Sequence, residues 1–154
     1  MPFRDDRLRD VLAIKGLITQ ASIHHRTGLP YPQIRRYTAL RGSKDFGLPN
    51  VETLAVIAVK LEIDADYVLG SDARYDGMST MQAVAHMSLD RYVTDEAANN
   101  RHVSESDLAS LRLTATNHSR PPFWIEEWRR EHESLRLRQL AAAPSSQALQ
   151  KPTG

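Results

Sequence analysis

Between Arg4 and Gly70 the sequence is cut into helix-length pieces by residues that start and stop helices, and no alternation of apolar and polar residues competes with that pattern. A first helix is predicted over residues 4–15, with Leu8, Val11 and Leu12 on one face and Gly16 able to take the left-handed conformation that closes a helix. A second, over about 19–26, opens on Thr19 as N-cap and stops at Gly28. A third, over about 32–40, carries proline in its first turn, where a missing N–H costs nothing, and turns Ile34 and Tyr37 inward. The fourth, over 51–61, is capped by Asn50 and buries Leu54, Ile57, Ala58 and Leu61. A fifth, of one or two turns, runs from Asp64 as cap to Gly70 as terminator, with Tyr67, Val68 and Leu69 packing. Short helices joined by loops of a few residues predict a compact bundle.

The polar, turn-rich stretch SDARYDG at 71–77 predicts a linker after a first domain at 1–70. Beyond it a second, smaller domain is predicted over 78–143. It starts with a helix over 79–98 whose contacts are Met81, Val84, Ala85, Leu89, Tyr92 and Val93. Ser104 followed by Asp107 resembles a capping box, with Asp in place of Glu, ahead of Leu108 and Leu111. Pro121 and Pro122 open a strong helix over about 123–142 that places Ile125, Trp128, His132 and Leu135 on one stripe. Residues 144–154 mix Pro, Ser, Gln and Gly without periodicity and are expected to be a disordered tail. The fold class expected for the whole chain is therefore all-α.

At 154 residues the chain holds one domain or two small ones, and a large enzyme is excluded. Apolar residues at 41% match a soluble globular protein. With no cysteine there is no disulfide scaffold, thiol nucleophile or Cys-based metal site. The longest apolar run, over 54–59, is far short of the ~20 residues that span a bilayer, and the N-terminus has no apolar signal core. A soluble, cytoplasmic protein without membrane contact is expected. The net charge of +1 conceals an asymmetry: residues 1–46 carry nine basic and four acidic side chains, residues 47–77 two basic and six acidic. An anionic partner is thus expected at the N-terminal third.

The run TQASIHHRTGLPYPQIRR at 19–36 resembles the helix-turn-helix domain of the Cro and phage-repressor type, the xenobiotic-response-element family. The continuation LPNVETLAVIAVKLEIDADYVLG at 48–70 is similar over its whole length to that family's fourth and fifth helices. The resemblance covers about residues 4–70, less than half the chain. It implies a five-helix domain that binds double-stranded DNA, with a recognition helix at about 31–40 whose Tyr31, Pro32, Gln33, Arg35 and Arg36 face the major groove. Gln33 has the donor and acceptor that adenine requires, and either arginine can fork onto guanine O6 and N7. Gln20 matches the family glutamine that buttresses the recognition helix and bonds a phosphate. Lys15, Arg41 and Lys44 are candidate backbone contacts that orient without reading sequence. The implied activity is that of a transcriptional regulator, a repressor by family habit, that acts by occupancy.

Three features depart from the family pattern. His24 stands where a small residue is usual and predicts altered packing of the two helices. Tyr31 and Pro32 replace small polar residues at the start of the reading helix and favour apolar contact with thymine methyls. The loop RGSKDFGLP at 41–49 is longer than usual.

The remaining features point to no catalysis. His24 and His25 are adjacent and face different sides of a helix, and His86, His102, His118 and His132 are scattered, so no metal or cofactor is expected. No nucleophile and base pair, paired acidic site or Gly-rich phosphate loop is present. The single lysine after Met78 is Lys151, in the expected tail, so the Ser-Lys self-cleaving domain that some phage repressors carry is not expected. Trp124 and Trp128, four apart on one helix, are read as core or, with Leu135, as an interface for a homodimer through the C-terminal helices. The rival reading is an antitoxin or adaptor whose C-terminal helical domain binds a protein partner.

Overall fold

The computed structural model describes residues 3–70 and 73–150, with 143–150 described by backbone alone. Among the described residues it is all-α, with no strand: α1 is Asp5–Ile14, α2 Gln20–Thr27, α3 Tyr31–Thr38, α4 Val51–Leu61, α5 Ala65–Leu69, α6 Thr80–Ala98, α7 Glu105–Asn117 and α8 Ile125–Gln150. The caps explain most boundaries. Thr19 Oγ1 accepts from the Ser22 N–H at 3.0 Å while Ser22 Oγ accepts from the Thr19 N–H at 3.1 Å, a reciprocal box built with serine. Asn50 Oδ1 accepts from the Thr53 N–H at 2.7 Å, and Ser79 and Gln82 form a second box at the start of α6. Ser104 caps α7 through the Asp107 N–H at 3.2 Å. The Asp107 carboxylate does not return to Ser104; it is used elsewhere in the core.

Asp64 also differs from its expected role. Its side chain makes no cap bond to α5; it accepts from the Tyr75 O–H at 2.5 Å and from Arg74 at 3.1 Å. Tyr75 lies in a single 3-10 turn, Ala73–Tyr75, inside the stretch expected to be a linker, and it is buried with its ring edge-on to Tyr67. Ser71 and Asp72 of that stretch lie outside the described residues. Of the expected tail, 151–154 likewise lie outside the described residues, while α8 continues to Gln150.

The buried apolar side chains before and after residue 71 form one cluster. Its centre is α6, in which every residue over 83–89 is buried, so the helix is enclosed on all sides rather than along one stripe. α7 and α8 pack on α6, which also meets α1. Met81, expected inside, is on the exposed side of the first turn. Arg91 on α6 donates to the Ile63 carbonyl at 2.6 Å, and the Met87 sulfur accepts from the Asp64 N–H at 3.4 Å. Glu62, left-handed at φ +56°, closes α4 and accepts from the Ile125 N–H at 2.7 Å, capping α8 from a distant part of the chain.

Trp128 is fully enclosed, and its indole N–H donates to Ser88 Oγ at 2.9 Å. It is a core residue and has no surface for a second subunit. Leu135 is packed partly buried on the same core. Beside them, His132 Nε2 contacts Asp107 Oδ2 at 2.9 Å and Nδ1 contacts the Tyr92 hydroxyl at 2.7 Å. A carboxylate only accepts, so Nε2 carries the proton, and in the neutral imidazole Nδ1 accepts from the tyrosine. Burial, and Glu96 after it, push the Tyr92 hydroxyl up. Asp107 is held below the usual carboxylate range by its hydrogen bonds from Gln139 and His132.

Candidate nucleic-acid interface

α2 and α3 are joined by a turn that only a left-handed residue can make, and Gly28 makes it at φ +74°. Its N–H closes α2 on the His24 carbonyl at 2.8 Å. α3 then starts at Tyr31 with Pro32 in its first turn, and it packs on α2 through Ile34 and Tyr37, which are buried. Helical geometry turns the residues between them the other way. Tyr31, Pro32, Arg35 and Arg36 are exposed, and Gln33 lies on the flank, half-buried.

His24 proves to be part of this turn. Its Nδ1 lies 2.7 Å from the Leu29 carbonyl and therefore donates to it, and its ring stacks on Tyr31 with centroids 4.6 Å apart and planes at 24°. The residue where a small one was expected is thus a brace across the Gly28 turn, and it fixes the ring of Tyr31 at the start of α3. Sequence spacing marks the departure from the small residue; the stacked partner three residues beyond a left-handed glycine is not visible in it.

The segment after α3 folds back on that helix. The Gly47 N–H donates to the Arg36 carbonyl at 3.1 Å. The Arg36 guanidinium lies against Gly47 so closely that a Cβ there would stand 2.6 Å from its Nε. Lys44, on the same loop, is exposed, as is Gln20, the first residue of α2.

One expected phosphate contact, Lys15, is corrected, and a second, Arg41, is exposed but engaged within the chain. Lys15 is only 6% exposed; its ammonium donates to the Phe123 carbonyl and lies 3.9 Å from the centre of the Trp124 ring. Burial pulls its pKa down to about 7, against the opposing pull of Glu62, and an enclosed amine of this kind cannot orient DNA. Arg41 is tied to the N-terminal segment: its Nε pairs with Asp5 at 2.9 Å, another nitrogen donates to the Phe3 carbonyl, and it stacks on Phe46. Burial alone would raise Asp5, but hydrogen bonds from Arg9 and Arg41 outweigh it and hold the carboxyl below its ordinary value. Of the two readings of Trp124, core and interface, the packing favours the first. Trp124 is half-buried, with Lys15 and Arg26 each 3.9 Å from its ring centre, so it joins α1 and α2 to α8.

The arginines divide by partner. Arg4, Arg9, Arg26, Arg101, Arg112 and Arg129 each pair with a carboxylate, while Arg7 and Arg91 donate to carbonyls. Among the described residues the guanidiniums of Arg35, Arg36, Arg120, Arg130 and Arg136 have no such partner. The outer face of α3 therefore carries two cations with no internal use. No group of three His, Cys, Asp or Glu side chains that could hold a metal occurs among the described residues, and none of their helices is long and apolar enough to cross a membrane. No protein-family profile, curated protein or solved structure matches the chain.

Proposed function

We propose that this chain is a sequence-specific regulator of transcription that binds double-stranded DNA, with α2 and α3 acting as a helix-turn-helix and α3 entering the major groove. The observation that carries this reading is the pair Arg35 and Arg36, outward on a short helix braced at its start by His24, with guanidiniums that have no partner among the described residues, where most other arginines are committed. A planar guanidinium can fork onto guanine O6 and N7, which gives such a helix a means of readout. Gln33 reaches a base edge from the flank, Tyr31 and Pro32 supply apolar contact, and Gln20 and Lys44 are left for phosphates. Regulation follows from occupancy of a site, as a repressor acts, and requires no catalysis.

Selection of bound sequences from a random duplex pool tests the proposal. A recurring motif that is lost in the Arg35→Ala, Arg36→Ala double variant is the expected result; no enrichment over input refutes it. A palindromic motif would indicate a two-fold pair of subunits. Among the described side chains of α7 and α8, Leu113, Leu137 and Leu140 are the exposed large apolar ones that such a pair could cover, in place of the tryptophans.

A further inference from the structure

A cleft of about 630 Å³ opens where the ends of α1 and α2 meet the connection from α7 to α8. It falls within the ~300–1,000 Å³ typical of small-molecule sites and lies, as many do, where two parts of a chain meet. Ile14, Pro121 and Pro122 give it apolar wall, and Arg120 and Arg130 line it. These are two of the five guanidiniums that have no partner among the described residues. We infer that the cleft binds a small organic oxyanion, a carboxylate or a phosphate monoester, held by Arg120 and Arg130 with its apolar body against the prolines.

The acidic residues of the cleft do not satisfy those arginines. Glu127 is occupied by the Phe123 N–H at 3.3 Å, and Glu131 by Arg138 at 3.6 Å. Glu126 stands four residues before Arg130 on α8, the spacing at which such pairs form, yet the two make no ion pair. Arg26 is already committed to Glu62 and to the Trp124 ring, and Lys15 to the Phe123 carbonyl. What remains is a pair of guanidiniums, the group best matched to a planar or tetrahedral oxyanion, beside an apolar wall, with the single carboxylate of Glu126 left to offset one of the two charges. Ser134, also on the lining, adds a hydroxyl for a remaining oxygen, whereas the Thr114 hydroxyl already donates to the Ser110 carbonyl at 3.3 Å. The inference rests on residues distinct from those of α3 and stands apart from DNA binding.

Trp124 lines the cleft and makes it observable, whereas Trp128 is enclosed in the core. The full chain is titrated at constant ionic strength with benzoate and with inorganic phosphate to millimolar concentration, and binding is read by tryptophan emission and by calorimetry. Saturable binding of benzoate is expected, with Arg120→Ala and Arg130→Ala each weakening it about tenfold, as loss of one charge-assisted hydrogen bond does. Phosphate binding on the same two arginines would show that the oxyanion suffices, and benzoate binding alone would show that the apolar body is required; either supports the site. Absence of a saturable response to both probes overturns the inference, as does a response that chloride reproduces or that the double arginine variant retains while its circular dichroism is unchanged.

Discussion

The Lys15 ammonium is a charge kept inside the fold, and its cost should be visible as a pH dependence of stability. Burial moves it from an ordinary 10.5 to about 7. Between those two values the unfolded chain binds a proton that the folded chain does not, so unfolding free energy must rise with pH across that window and level off on either side. At ~1.4 kcal/mol per tenfold change in proton affinity, the rise is on the order of 5 kcal/mol. Lys15→Met keeps the stem that packs beneath Trp124 and removes the titration. It also removes the bond to the Phe123 carbonyl, a loss of about 1 kcal/mol that does not follow this pH window. The stability of Lys15→Met minus that of the wild type should therefore be largest at neutral pH and shrink steadily toward pH 10.5, the ordinary lysine value. Urea unfolding of both proteins across this range measures it, and groups common to both cancel in the difference. Parallel curves would refute the argument that Lys15 is buried and desolvated.

Three further outcomes are expected. Trp128→Ala empties a fully enclosed position and removes the indole donor to Ser88 Oγ, whose own hydroxyl keeps its bond to the preceding turn, so denaturant unfolding should show a loss of about 3–5 kcal/mol. Asp107→Ala leaves the His132 N–H and the Gln139 amide without their acceptor and should cost about 1–3 kcal/mol in the same assay. Gly47→Ala meets only the movable end of Arg36, so stability should stay within about 1 kcal/mol of the wild type. Displacement of that guanidinium should still alter binding to any duplex that Arg36 contacts, which a mobility-shift titration would detect.

Local chemistry was legible in the sequence and remote chemistry was not. Thr19, Asn50, Ser79 and Ser104 stand at helix starts and Gly28 at a stop because a cap needs only neighbours within a few residues. The outward placement of Arg35 and Arg36 followed from Ile34 and Tyr37 facing in, again a local matter. Lys15 was misread as a surface cation because its partner carbonyl belongs to Phe123, 108 positions away, and no spacing rule connects them. Trp128 was weighed as interface because burial against α6 is a property of the packed chain, not of one helix. Within the stretch 71–77, Tyr75 is buried and anchored on Asp64, eleven positions away, a contact that reading Asp64 as a cap does not show. His24 shows the middle case: its size was flagged, but its use as a brace depended on how Gly28 brings Tyr31 round to it.

The most direct test of the central claim is a titration of a selected duplex and a random one against the wild-type chain and the Arg36→Ala variant over a range of salt. The account predicts that the wild type prefers the selected duplex and that its affinity falls steeply as salt rises, since neutralised phosphates release counterions. It also predicts that Arg36→Ala loses about 1–3 kcal/mol on the selected duplex and much less on the random one. Equal affinity for both duplexes, equal losses on both, or no complex at low salt would contradict the assignment of α3 as the helix that reads DNA.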